Sequence, residues 1–122
     1  MIYVNGVPVT VVKFNGGEVQ VSIDLPILNS LFKKEVDVKA IIKNSDDIMA
    51  LIQTKTIIDK YNPTEVTLYL PRVPYAQSDR AMSRNECSGL KSFTAILNSL
   101  NFTHVCVDDP HSDVTEALIN NI

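Results

Sequence analysis

The chain of 122 residues carries 11 Lys and Arg against 14 Asp and Glu, a formal net charge of −3. That length makes one domain able to bury most of its apolar surface in a single core. The charge balance excludes the basic footprint of a nucleic-acid or anionic-membrane binder, and no apolar run reaches the roughly 18 residues that a membrane span requires.

Ile2 to Val4 and Pro8 to Phe14 read as short strands joined at Asn5-Gly6, a strong hairpin dipeptide. Asn15-Gly16-Gly17 is a second tight turn. Glu18 to Asp24 then alternates strictly, with Val19, Val21 and Ile23 on one face, so it reads as a strand with one solvated side. Residues 25–34 fit a short helix or an irregular packed segment. Val36 to Ile42 is a further strand, in which Ala40-Ile41-Ile42 suggests burial on both faces. Asn44-Ser45-Asp46-Asp47 supplies an N-cap and first-turn acids. The helix they open, marked by Ile48, Leu51, Ile52, Ile57 and Ile58, runs to about Tyr61, and Asn62-Pro63 ends it. Glu65 to Leu70 alternates and is rich in β-branched and aromatic residues, a strand stopped by Pro71. Ser88 to Leu100 is an amphipathic helix with Leu90, Phe93, Ile96, Leu97 and Leu100 toward the core. Thr103 to Val107 is the next strand, and Val114 to Asn120 a final helix capped by Ser112 or Asp113.

Strand–helix–strand occurs twice, so the fold class is α/β, with a mostly parallel sheet flanked by helices and an N-terminal antiparallel hairpin. The N-terminus lacks a signal-peptide pattern. Cys87 and Cys106 have neither a metal-type spacing nor the number for a disulfide framework, so both read as reduced thiols of a cytoplasmic protein. Cys106, within an apolar strand, is expected as a small core residue.

Ligands of open α/β sheets sit outside the carboxyl ends of the strands, and two polar loops fall there. The first carries Arg72, Asp79, Arg80 and Arg84. Guanidinium forks match phosphate oxygens, so this loop suits a polyphosphate with its cation, though a solvated surface loop has the same composition. The second, Asp108-Asp109-Pro110-His111-Ser112-Asp113, gathers three carboxylates and an imidazole. Oxygen donors suit Mg²⁺, which keeps several waters and takes substrate phosphate into its shell. Asp-Pro and Ser-Asp are equally ordinary turn and N-cap choices.

Pro71-Arg-Val-Pro-Tyr-Ala-Gln-Ser-Asp-Arg80 resembles the proline-tyrosine-alanine-arginine-glutamine-aspartate-arginine signature of ribose-phosphate pyrophosphokinases, the PRPP synthetases. Tyr75, Ala76, Asp79 and Arg80 match, while Gln77 stands for the family's first arginine and Ser78 for its glutamine. Asp108 to His111 is similar to the family's valine-aspartate-leucine-histidine segment, with Asp109 and His111 on the aspartate and histidine that contact Mg²⁺–ATP. Lys13 to Ile23 resembles a segment in which a phenylalanine stacks on adenine and two acids hold the nucleotide across a subunit interface. Phe14, Gly17 and Glu18 match there, and Gly16 replaces an aspartate. Lys91 matches a lysine early in the following helix, where a solvated role is the better reading.

The resemblance covers nearly the whole chain but only the N-terminal half of such an enzyme. It implies a phosphoribosyltransferase-type, Rossmann-like fold. Residues 1–122 would form the ATP-binding and oligomerisation domain, without the C-terminal ribose-phosphate domain. The implied reaction moves the β,γ-diphosphoryl group of ATP to the 1-hydroxyl of ribose 5-phosphate, giving PRPP and AMP, with Mg²⁺ as cofactor. The implied site comprises Phe14, Glu18, Gln77, Ser78, Asp79 and Arg80 for ATP, His111 and Asp109 for the metal, and His111 and Arg80 for catalysis. A homo-oligomer is implied, in the cytoplasm (a host's cytoplasm if phage-encoded), with neither nucleic acid nor membrane as partner. The Gly16 and Gln77 replacements also fit a catalytically silent regulatory or assembly relative.

Overall fold

The computed structural model describes residues 1–78, 83–108 and 113–122. In chain order the elements are β1 (Ile2–Val4), β2 (Val7–Pro8), β3 (Thr10–Lys13), β4 (Val19–Ser22), α1 (Leu25–Asn29), β5 (Glu35–Ala40), α2 (Ser45–Asp59), β6 (Glu65–Leu70), α3 (Gly89–Ser99), β7 (His104–Val107) and α4 (Asp113–Leu118). Five strands form one sheet in the order β2-β1-β5-β6-β7, and β3 and β4 pair separately. β5, β6 and β7 are parallel to one another, and β1 runs antiparallel to both β5 and β2. The expected α/β architecture, mostly parallel with an N-terminal antiparallel hairpin, is the one observed.

Asn5 and Gly6 adopt φ of 47° and 82°, the two left-handed positions that a two-residue hairpin turn demands. The single strand expected over Pro8–Phe14 is split. The Val9 N–H still donates to the Ile2 carbonyl at 2.9 Å, closing the pairing of β2 with β1, and the chain then leaves the sheet so that β3 pairs with β4. Gln53 of α2 joins this detached hairpin to the body. Its Oε1 accepts from the Val21 N–H at 2.8 Å and its Nε2 donates to the Val19 carbonyl at 3.0 Å.

In β5 the side chains alternate, with Val36, Val38 and Ala40 buried and Glu35, Asp37 and Lys39 exposed. Two successive right-handed crossovers stepping the same way across a sheet lie on the same side of it. The buried residues of β5, β6 and β7 accordingly join Leu51 and Ile58 of α2 and Leu90, Phe93 and Leu97 of α3 in one core. This corrects two expectations. The strand ends at Ala40 and Ile41 is exposed, so burial on both faces does not occur. Cys106 alternates onto the uncovered face and is exposed, not a core residue.

The helix ends follow their local chemistry. Asn44 caps α2 by accepting from the Asp47 N–H at 3.0 Å, and the Asp47 carboxylate accepts from the N–H of Lys43, just before the cap, at 2.8 Å. Asn62, at φ 49°, turns the chain after α2. On α3 the apolar stripe differs at one place: Ile96 is exposed and Thr94 is buried, its hydroxyl donating to the Lys91 carbonyl at 3.2 Å. At the far edge, the Val105 N–H of β7 donates to the Asn121 carbonyl at 2.8 Å. Asn98 fastens the same turn, donating to the Leu118 carbonyl and accepting from the Asn120 N–H. No buried side-chain N or O among the described residues lacks a partner, and none of their helices is long and apolar enough to cross a membrane.

Candidate functional site

Parallel pairing of β5 with β6 brings their carboxyl ends side by side. The segments that leave them, Ile41–Asn44 and Pro71–Ser78, diverge and enclose an open cleft of about 630 Å³. Ile42, Ile48 and Pro74 give it an apolar floor and walls, while Lys43, Arg72 and Gln77 supply its polar groups. This is the position at which open α/β sheets bind ligands, and the volume lies within the range of small-molecule sites.

The Pro71–Ser78 loop is held in one shape. Val73 and Ala76 are buried and point it inward, and between them Tyr75 adopts φ 62°. A left-handed backbone is costly for a bulky residue and persists where its surroundings enforce it. The Ser78 N–H donates to the Tyr75 carbonyl at 2.8 Å, closing the turn. The Ser78 carbonyl then accepts twice, from Ser88 Oγ at 2.7 Å and from the Leu90 N–H at 3.2 Å. Ser88 Oγ also accepts from the Lys91 N–H at 3.2 Å, capping α3. One buried hydroxyl thus ties the cleft loop to the start of α3.

Charge at the cleft is divided. The first turn of α2 already holds the Asp46 and Asp47 carboxylates, and the Asn44 side chain takes the Asp47 N–H there. Its positive dipole end is therefore neutralised from within the chain. An anion entering the cleft meets Arg72 and Lys43 rather than a bare helix terminus. Among the described residues no three His, Cys, Asp or Glu side chains converge on a metal position.

Gln77 and Ser78, expected from the sequence, are at the cleft, as are Arg72 and Tyr75. Phe14 and Glu18 are not. They flank the turn of the β3–β4 hairpin, where the Phe14 N–H donates to the Glu18 carbonyl at 2.8 Å, and Phe14 is 48% exposed. Phe14 is therefore not a core residue. A Cβ on Gly16 would stand 3.0 Å from Glu18 Oε1, so the Glu18 carboxylate lies over the residue that replaces the family's aspartate. Asp79, Arg80, Asp109 and His111 lie outside the described residues. Sequence reasoning missed Lys43 as a cleft residue and Ser88 and Gly89 as its supports. A glycine in the first turn of an otherwise strong amphipathic helix, where alanine would serve better, was the available signal.

No protein-family model matches the chain, and no curated protein matches it. Among solved structures it is similar to the crystal structure of phosphoribosylpyrophosphate synthetase from Mycobacterium smegmatis, with a TM-score of 0.73 at 18% sequence identity. The match covers 93% of this chain and 38% of that one, so the chain spans well under half the length of its structural neighbour. At this identity the likeness establishes the fold: the chain has the α/β architecture found in a phosphoribosylpyrophosphate synthetase.

Proposed function

We propose that this chain binds Mg²⁺–ATP at the carboxyl end of its sheet and forms the ATP-binding half of a ribose-phosphate diphosphokinase. The observation that carries the reading is the cleft between Ile41–Asn44 and Pro71–Ser78. A loop resembling the family's ATP signature lines it, in a fold shared with a phosphoribosylpyrophosphate synthetase. In this reading Gln77, Ser78, Asp79 and Arg80 meet the phosphates, with Arg72 as the nearest replacement for the missing arginine. Asp109 and His111 offer one carboxylate and one imidazole to Mg²⁺, which keeps waters and phosphate oxygens for the rest of its shell. The bound cation would neutralise charge developing on the phosphates. Phe14 and Glu18 stand apart from the cleft on an exposed hairpin, which fits their service to a neighbouring copy in a homo-oligomer. The 1-hydroxyl of ribose 5-phosphate would attack Pβ as the bond to the α–β bridging oxygen breaks. A ribose-phosphate domain other than these residues would hold that substrate, and the whole would work in the cytoplasm where ATP is available.

The test is calorimetric titration of the chain with ATP, with and without MgCl₂. Saturable binding that requires magnesium supports the proposal, and no binding in either condition removes it. A second reading, a silent regulatory or assembly relative, is favoured by Gly16 and Gln77. Losing one bidentate guanidinium contact removes about 1.5–3 kcal/mol where the contact is desolvated. Oligomerisation without ATP binding would select that reading.

A further inference from the structure

The face of the five-stranded sheet turned away from α2 and α3 is covered by no described element. Parallel strands are ordinarily buried on both faces, yet here Tyr69 and Ile41 are 42% and 37% exposed. The cause is topological. Both crossovers take the other side, and β1 passes to β2 through a two-residue turn that brings no helix across.

Register fixes what this face displays. Ile41 is bonded beside Met1 at one end. In the next row Tyr3, Lys39, Tyr69 and Cys106 stand side by side. The other end is acidic, with Asp37 followed by the paired positions Glu35 and Glu65. His104 stands 3.9 Å from Glu65 there. The face therefore grades along the strands from apolar at Ile41, through a row in which Lys39 stands between two tyrosines, to acidic.

We propose that this face docks one amphipathic helix of another polypeptide, its apolar side chains over Ile41, Tyr69 and Cys106 and its lysines or arginines over Glu35, Asp37 and Glu65. Size and charge select that occupant. Four strands spaced about 4.8 Å apart, followed over Glu35 to Ile41, give a platform of roughly 14 by 20 Å. A helix is 10–12 Å across, and about 13 residues span 20 Å, so one helix of three to four turns fills it. A stable dimer buries roughly 800 Å² per partner, well beyond this platform. A second copy also fits poorly by charge where two-fold pairing lays the acidic rows on their own equivalents, which leaves carboxylates desolvated without partners.

Cys87→Ser leaves Cys106, in the middle of the face, as the sole thiol and makes the test direct. The probe is a synthetic 14-residue helical peptide with a leucine stripe and lysines in its last turn. Its control carries glutamates in place of those lysines. Anisotropy of the labelled peptide gives affinity, and the rate of Cys106 modification by a thiol reagent reports cover. The lysine peptide is expected to bind about tenfold more tightly than the glutamate peptide and to slow Cys106 modification at saturation. Tyr69→Asp should abolish binding with the circular dichroism unchanged, whereas Met49→Asp, exposed on α2, should leave it intact. Equal affinity for the two peptides, or an unchanged Cys106 rate at saturation, overturns the proposal. Cys106 protection that rises with protein concentration in the absence of peptide, together with dimers in sedimentation, assigns the face to a second copy and equally overturns it.

Discussion

The ring of Tyr75 lies against Gly89 so closely that a Cβ on Gly89 would come within 2.6 Å of Tyr75 Cδ1. The cleft loop and the first turn of α3 are thus fitted to each other by the absence of one methyl group. Gly89→Ala sets two effects in opposition. Alanine gains about 1 kcal/mol of helix propensity, while crowding the ring costs about 1–3 kcal/mol. Crowding should win, so the variant melts lower. In a Tyr75→Ala background the same substitution should stabilise, because only the propensity term remains. A double-mutant cycle by urea denaturation measures the coupling; independent effects of the two substitutions would show that the contact carries no constraint.

Ser88→Ala removes both the α3 cap and the bond to the Ser78 carbonyl. The expected loss is about 1–2 kcal/mol, read as a lower urea midpoint with an unchanged slope. ATP affinity should fall as well, because the loop that bears Gln77 and Ser78 is released. Ser88→Thr, which keeps the hydroxyl, should recover most of both.

Gln53→Ala should loosen the β3–β4 hairpin without unfolding the sheet. Each lost backbone partner is worth about 0.5–1.5 kcal/mol. What remains is the burial of Val21 in the core and the Lys13–Asp46 pair, at 2.9 Å, which is solvent-exposed and weak. Amide exchange should accelerate over residues 10–22 and stay slow in β5 and β6. Uniform acceleration would mean that the hairpin and the core open together.

Within the proposed nucleotide site, Arg80→Ala should weaken ATP binding by about 1.5–3 kcal/mol, the value of a charged hydrogen bond, with the melting temperature preserved. Equal calorimetric affinity would remove Arg80 from the site. His111→Ala should flatten the magnesium dependence of binding, and an unchanged magnesium titration would exclude it. Gln77→Arg, restoring the guanidinium that the family carries, should tighten binding; no gain would show that Arg72 already fills the place.

Much of this architecture was legible because local signals agreed with the fold. Asn5-Gly6 set its hairpin, Asn44 and Asp47 their cap, and Pro71 the end of β6. The failures at Ile41 and Cys106 share one cause. An apolar run shows that a strand could be buried on both faces, but which face receives helices depends on the side to which the crossovers turn, a property of the assembled sheet. Ile96 failed similarly, since helical spacing leaves a stripe free to rotate about the axis, and Thr94 tolerates burial because its hydroxyl bonds to the Lys91 carbonyl of its own helix. At the cleft, Gln77 and Ser78 could be found from their loop. Lys43 and Gly89 matter only through neighbours distant in sequence, and no motif announces them. Asp79, Arg80, Asp109 and His111 still rest on resemblance alone.

The turn fastened by Asn98 and Asn121 has a consequence for how this protein can meet others. It places a carbonyl on the outer side of β7, where an unpaired strand would otherwise invite another chain to add itself. At the opposite border β2 is two residues long and ends in Pro8, which can donate nothing to an incoming strand. Both margins of the sheet are therefore blunted against strand addition. Growth into fibrils or swapped sheets is discouraged at either side, and association is directed to surfaces where side chains choose the partner.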